Sequence, residues 1–229
     1  MTPAIKSFER KGAVFFDLDG TLLDTAPDFR AVLHSLSKAH GIEPPSDIAI
    51  HATVSSGARA LTALTFKLST ADPAIDDLNE ELLTRYARQI MSSRATLYPG
   101  MAALLHKLEH TKTPWGVVTN KPERFSIPLL KAIGLDSRCS ALVCPDHVTH
   151  RKPHPEPLLL ACRMLDKNPL HCVYVGDHPR DIESGKAAGM LTIAAAYGYL
   201  PETPPLAEWG ADLIAVTVTE IAEYLLPGL

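Results

Sequence analysis

The chain has 229 residues, 46% hydrophobic and 21% charged, a content typical of a soluble globular protein that can bury one good core. Its net charge of −4 leaves no basic footprint, which argues against nucleic acid as the main partner. No apolar stretch approaches a membrane span, and the N-terminal charges at Lys6, Glu9, Arg10 and Lys11 do not have the form of a secretory signal.

The first predicted element is a strand over residues 13–16, because β-branched and aromatic residues favour the pleated state. The run continues as Asp17-Leu18-Asp19-Gly20-Thr21-Leu22, so two aspartates two positions apart arrive at a glycine turn. At period two, Asp17 and Asp19 point the same way. Two carboxylates at the mouth of a buried strand repel each other. A divalent cation with hard oxygen ligands, Mg²⁺, relieves that repulsion. One carboxylate is then free to attack and the other to move a proton.

From about Asp24 to Leu97 the patterns are helical and no convincing strand is present. Phe29, Val32, Leu33 and Leu36 form one apolar face, Leu61, Leu64, Thr65 and Leu68 another, and Leu82, Tyr86 and Ile90 a third. The breaks fall at Glu43-Pro44-Pro45-Ser46 and Thr70-Ala71-Asp72-Pro73. A single crossover helix would cover the sheet, so this segment is expected to be a separate lid.

Beyond it, strands are predicted at residues 115–119, 141–144, 172–176 and 191–195, with a weaker one at 211–216. Helical patterns separate most of them, through Met101, Leu104, Leu105 and Leu108, and through Leu158, Ala161, Cys162 and Leu165. Segments 127–133 and 181–188 stop at Gly134 and Gly189, as helices that end in glycine do. Nearly continuous apolar strands alternating with helices imply a parallel sheet covered on both faces, a doubly wound Rossmann-like α/β core. Residues 201–205 read as a rigid, proline-rich surface loop.

Three further segments carry chemistry. Thr119-Asn120-Lys121-Pro122 ends a strand with a hydroxyl, an amide and backbone N–H groups suited to phosphate oxygens. Arg151-Lys152-Pro153-His154-Pro155 presents a lysine on a backbone fixed by proline, a compact charge able to bridge a carboxylate and a phosphate. Val173-Tyr174-Val175-Gly176-Asp177-His178-Pro179-Arg180-Asp181 repeats the first design, with Asp177 as a further metal ligand. Asp181 reads equally as a metal-site neighbour, a ligand or a helix cap. Cys139, Cys144, Cys162 and Cys172 lack C-x-x-C spacing and read as buried free thiols, consistent with a reducing cytoplasm.

These four segments, in this order, resemble motifs one to four of the haloacid dehalogenase (HAD) superfamily, and the resemblance covers essentially the whole chain. It implies a core of residues 1–23 and 98–229, with a helical cap of residues 24–97 inserted after the first strand. It implies Mg²⁺ held by the carboxylates of Asp17 and Asp177 and the backbone carbonyl of Asp19. It makes Asp17 the nucleophile that forms an aspartyl-phosphate and Asp19 the general acid and base. Thr119 and Lys152 would balance charge on the transferring group. Superfamily dehalogenases lack the second aspartate, so Asp19 points to phosphate esters.

Asp24-Thr25-Ala26-Pro27-Asp28-Phe29 resembles the phosphoglycolate phosphatase-like subfamily. Val54-Ser55-Ser56-Gly57-Ala58-Arg59, Cys144-Pro145-Asp146-His147-Val148, Asp181-Ile182-Glu183-Ser184-Gly185, Tyr197-Gly198-Tyr199 and Trp209-Gly210-Ala211-Asp212 look closer to its branch acting on N-acetylmuramic acid 6-phosphate in bacterial cell-wall recycling. Both substrates carry a carboxylate, for which Arg59 is the candidate cation. Gly20, Ser56 and Asn120 complete the expected substrate contacts. The implied protein is a cytoplasmic phosphatase, a monomer or homodimer, working on a small phosphate ester. A phosphosugar mutase and a non-catalytic binding protein on the same fold are the alternatives.

Overall fold

The computed structural model describes residues 12–228; the N-terminal charges Lys6, Glu9, Arg10 and Lys11 lie outside them. In chain order the strands are β1 (Val14–Phe16), β2 (Leu23–Asp24), β3 (Thr96–Leu97), β4 (Trp115–Val118), β5 (Leu142–Val143), β6 (Val173–Gly176), β7 (Leu191–Ala195) and β8 (Leu213–Ala215). The α-helices are α1 (Ala26–Ala39), α2 (Asp47–Thr53), α3 (Ala58–Phe66), α4 (Ile75–Gln89), α5 (Met101–His110), α6 (Glu123–Ala132), α7 (Glu156–Met164), α8 (Pro179–Ala187) and α9 (Val218–Leu225).

Six strands form a parallel sheet in the order β5-β4-β1-β6-β7-β8. β1, β4, β6 and β7 are buried at every position, as a sheet covered on both faces requires. Period two divides them between two layers. Val14, Phe16, Val117, Val175 and Ile193 join α5 and α9 in one cluster, while Phe15, Val118 and Tyr174 join α7 in another. Burying each of the large side chains contributes about 1.5–3 kcal/mol. The core is therefore the doubly wound α/β sandwich the alternation predicts.

The strand order also fixes where chemistry can occur. The chain leaves β1 for β4 and β5 on one side, then crosses to β6, β7 and β8 on the other. The crevice beyond the carboxyl ends of β4, β1 and β6 lies at this reversal, the place where open α/β sheets bind ligands.

Between β2 and β3 the chain runs through α1–α4, whose apolar faces pack on one another. Phe29, Val32, Leu33, Leu36, Leu61, Leu82, Tyr86 and Ile90 are all buried in one cluster, which Phe125 and Tyr199 join from the sheet side. This segment is not free of strand. Leu23–Asp24 pairs antiparallel with Thr96–Leu97, tying its two ends together. Two residues a side carry too little periodic pattern to be read from sequence. Helix α6 begins at Glu123, four residues earlier than its apolar pattern, and contains Pro128. Residues 201–205 form the expected irregular loop. The four cysteines are free; Cys144, Cys162 and Cys172 are buried, and Cys139 is half-buried.

Candidate active site

Asp17, Thr119 and Asp177 each follow the last residue of β1, β4 and β6, so three adjacent strands deliver them to the switch-point crevice. Asp17 is buried, and one of its oxygens accepts the Leu18 backbone N–H at 2.7 Å. Lys152 reaches the same oxygen at 3.0 Å and Asp181 at 2.8 Å. Its ammonium also lies 3.0 Å from the Val118 carbonyl and 2.6 Å from the Tyr174 hydroxyl. A lysine this enclosed, only 2% exposed, stays in place because acceptors surround it.

Asn120 explains how that lysine is aimed. Its amide donates to the Lys152 carbonyl at 3.0 Å, and its oxygen accepts the Lys152 backbone N–H at 3.1 Å. Expected as a substrate contact, Asn120 borders the cavity yet spends both ends of its amide on the lysine loop. Thr119 turns its hydroxyl oxygen to the Lys121 backbone N–H at 3.1 Å.

Asp177 is fully buried and accepts three hydrogen bonds, from Thr21 Oγ1 at 3.1 Å, Ser55 Oγ at 2.7 Å and the Tyr199 backbone N–H at 2.9 Å. Burial pushes its carboxyl well above the usual range, and the neighbouring charges of Asp17 and Asp181 push it further. Gly20 makes this crowding possible. Its φ is +84°, and a Cβ there would stand 2.0 Å from an Asp177 carboxylate oxygen.

Asp181 resolves into more than one of its readings at once. It caps α8 by accepting the His178 backbone N–H at 3.1 Å, and it pairs with Lys152. His178 accepts the Arg180 backbone N–H, and burial, aided by Arg180, lowers its pKa to about 4.

Oxygen atoms of Asp17, Asp177 and Asp181 lie within 4.8 Å of one another, all buried. Three buried carboxylates against the ammonium of Lys152 leave an excess of negative charge. That excess, together with the raised Asp177, is what a divalent cation bound by oxygen would neutralise, so the residues fit a metal of the Mg²⁺ type.

Asp19 belongs to a second set of contacts. Its carboxylate accepts Thr25 Oγ1 at 2.6 Å and the Lys121 ammonium at 2.9 and 3.2 Å. Lys121 lies over the rings of Tyr86 and Phe29, with its Nζ 4.6 and 5.1 Å from their centroids. Burial alone would lower the Lys121 pKa, but Asp19 and then Tyr86 reverse the effect and raise it. Phe29 and Tyr86 themselves stack at 4.3 Å. Beneath them, Tyr199 accepts the Thr25 and Ala26 backbone N–H groups and donates to Asp24, fixing the start of α1 to the sheet.

These residues surround a cavity of about 370 Å³, bordered by Asp17, Asp19, Thr119 and Lys152 on the sheet side and by Phe29, Val54, Ser56 and Tyr86 on the helical side. The loop at 54–57 bends over the carboxylates. Ser55 Oγ reaches Asp177 and, at 3.4 Å, the Asp19 carbonyl. Arg180 donates from α8 to the Ser55 carbonyl, while its buried Nε has no partner among the described residues.

One expectation needs correction. Arg59, the candidate cation for a substrate carboxylate, does not border the cavity. It points outward, donating to the Thr70 carbonyl at 2.7 Å and pairing with exposed Asp76. As the second residue of α3, it lies where the helix turns its side chain away from the mouth. The cations that do border the cavity are Lys121, Arg151, Lys152 and Arg180. Lys121 and Arg180 stood inside recognised segments, but nothing in their neighbours marked them apart from surface charges. Ser55 and Tyr199 likewise gain their roles from distant contacts, Ser55 with Asp19 and Asp177 across 36 and 122 positions and Tyr199 with Asp24 across 175.

A buried carboxylate paired with a lysine, a second carboxylate facing the same cavity and a third acid at the switch point are the arrangement expected of a hydrolase of the HAD kind. The family model described as haloacid dehalogenase-like hydrolase matches residues 14–195. N-acetylmuramic acid 6-phosphate phosphatase of Pseudomonas aeruginosa is 46% identical over 94% of this chain and 95% of its own length. Phosphoglycolate phosphatase of Xanthomonas campestris is 40% identical over 88% of this chain and 90% of its own. The crystal structure of a predicted phosphoglycolate phosphatase from Haemophilus somnus superposes with a TM-score of 0.81 at 24% identity, covering 94% and 98% of the two chains. The chain belongs to the haloacid dehalogenase-like hydrolases, among their phosphatases.

Proposed function

We propose that this phosphatase hydrolyses a small, carboxylate-bearing phosphate monoester through an aspartyl-phosphate on Asp17, with N-acetylmuramic acid 6-phosphate as the first candidate and 2-phosphoglycolate as the second. The observation that carries the reading is the pairing of Asp17 beneath Lys152 with Asp19 above, both facing one cavity. The order of candidates follows the 46% identity to the Pseudomonas enzyme, supported by aromatic walls at Phe29, Tyr86 and Phe125 that suit a sugar ring.

Asp17 attacks phosphorus, and the phosphoryl group passes to its carboxylate as the ester oxygen leaves. Asp19 gives that oxygen a proton and later takes one from the water that hydrolyses the aspartyl-phosphate. Lys152 and the Thr119 hydroxyl, with backbone N–H groups beside it, hold the equatorial oxygens. Asp17, Asp177 and the Asp19 carbonyl would hold Mg²⁺, with Asp181 beside them. When bound, the ion would neutralise phosphate charge and orient it for in-line attack. Residues 24–97 act as a cap on a core of 1–23 and 98–229, excluding bulk water and reading the leaving group through Ser56 and its neighbours. The enzyme works in the cytoplasm, in cell-wall recycling, as a monomer or homodimer.

Asp17→Asn should cut phosphate release from p-nitrophenyl phosphate by about 10⁴-fold or more, and retention of most activity would remove the nucleophile. EDTA should silence the wild type; full activity in its presence would remove the metal. Turnover of the two candidate esters, compared side by side, decides the substrate; equal and poor rates on both overturn both assignments.

A further inference from the structure

The correction of Arg59 leaves open which group recognises the substrate's carboxylate. Of the cations bordering the cavity, Lys152 sits at the phosphoryl end, against Asp17 and Asp181, and is already assigned to the transferring group. Arg180 is engaged with the Ser55 carbonyl, and Arg151 is exposed. Lys121 differs from all three. Its hydrogen-bonded side-chain partner is Asp19, the residue that must turn to the ester oxygen, and its other neighbours are the aromatic faces of Phe29 and Tyr86.

We propose that Lys121 is the residue that determines specificity for a carboxylate on the leaving group. The substrate carboxylate takes the Lys121 ammonium in exchange for Asp19, and so releases Asp19 toward the scissile oxygen. The inference rests on the phosphatase reading above. Three features of the site support the exchange. Asp19 is held by Lys121 through both oxygens and by Thr25, which keeps it from reaching a ligand until one contact yields. The Lys121 side chain is 7% exposed, so giving up Asp19 without a replacement anion would leave a buried charge unpaired. A lysine has a flexible four-carbon stem, and the aromatic faces hold its charge along the path between the two partners. An ester lacking the carboxylate offers nothing in exchange and leaves Asp19 tethered.

A matched pair of substrates isolates this effect. N-acetylmuramic acid 6-phosphate and N-acetylglucosamine 6-phosphate share the ring and the ester, and differ in the lactyl ether that carries the carboxylate. Wild type should prefer the first in kcat/KM. Lys121→Met should reduce that preference by about tenfold to a hundredfold, the range expected for a charged hydrogen bond, with most of the change on the carboxylate ester. Lys121→Arg should keep most of the preference. Inhibition by the product N-acetylmuramic acid should weaken in Lys121→Gln as well, which gives a second measurement if the Met variant folds poorly. A uniform loss on both esters would make Lys121 a holder of Asp19 alone and overturn the proposal. If the wild type itself shows no preference, the carboxylate-ester reading fails, and this inference fails with it.

Discussion

At the carboxyl end of the sheet, Asp17, Lys152, Asp177 and Asp181 are at most 4% exposed; Lys152 pairs with Asp17 and Asp181, and Asp177 is held by Thr21, Ser55 and Tyr199. The helical segment gives the same cavity Phe29, Val54, Leu83 and Tyr86, with Ser55 and Ser56 as its polar atoms. The sheet end is a rigid cluster of charges whose groups would be costly to leave unpaired. The helical side is largely an apolar wall, with few charges to place. Phosphoryl transfer needs charges fixed before the reaction begins, whereas substrate selection needs surface. Fixed charges and apolar surface thus reach one cavity from two parts of the chain, the strand ends and the helical segment between β2 and β3.

The comparison is broken most directly by removing the charge that balances the sheet end. Lys152→Met leaves Asp17 and Asp181 without their ammonium, and should lower stability by about 3–5 kcal/mol in urea unfolding of metal-free protein. A change under about 1 kcal/mol would mean that the cluster is not held by this charge. Gly20→Ala comes next. A Cβ at φ +84° would press on the Asp177 carboxylate, so activity should collapse alongside a loss of about 1–3 kcal/mol. Near-wild-type turnover would show that the turn has room to spare.

A subtler effect is expected at His178, whose folded pKa is near 4 against an ordinary 6.5. Between those values the unfolded chain binds the proton and the folded one does not, so stability falls as pH drops through that window. His178→Asn should flatten that part of the difference when urea midpoints are compared across pH 4 to 7; an identical slope in both proteins would remove His178 from the acid response. Arg59→Ala sharpens the comparison from the other side. Its partners are exposed, so stability should move by about 0.5 kcal/mol or less and kcat/KM by about twofold or less. A large rise in KM would return Arg59 to the substrate.

Legibility followed the distance over which a residue earns its role. Asp17, Thr119 and Asp177 were readable because each ends an apolar run, and the end of a parallel strand is already a position in space. A helix cap was one of the readings open to Asp181 at the start of a predicted helix, but its ion pair with Lys152 crosses from another loop. Arg59 was misplaced because a helix turns about 100° per residue, and no local pattern says which side of its first turn faces the cavity. The two-residue pairing of β2 with β3 was invisible for a similar reason, since its partners stand 74 positions apart at Leu23 and Leu97.

The order of strands and helices, the sandwich they form and the acids at the mouth of the sheet were determined by the amino-acid sequence, because hydrophobic period and turn chemistry act over a few neighbouring residues. Which cations border the cavity was decided only when the chain packed. The ammonium of Lys121 meets Asp19 from 102 positions away, and Arg180 meets Ser55 from 125. Electrostatic partnership depends on distance in space, and that distance exists only in the folded protein.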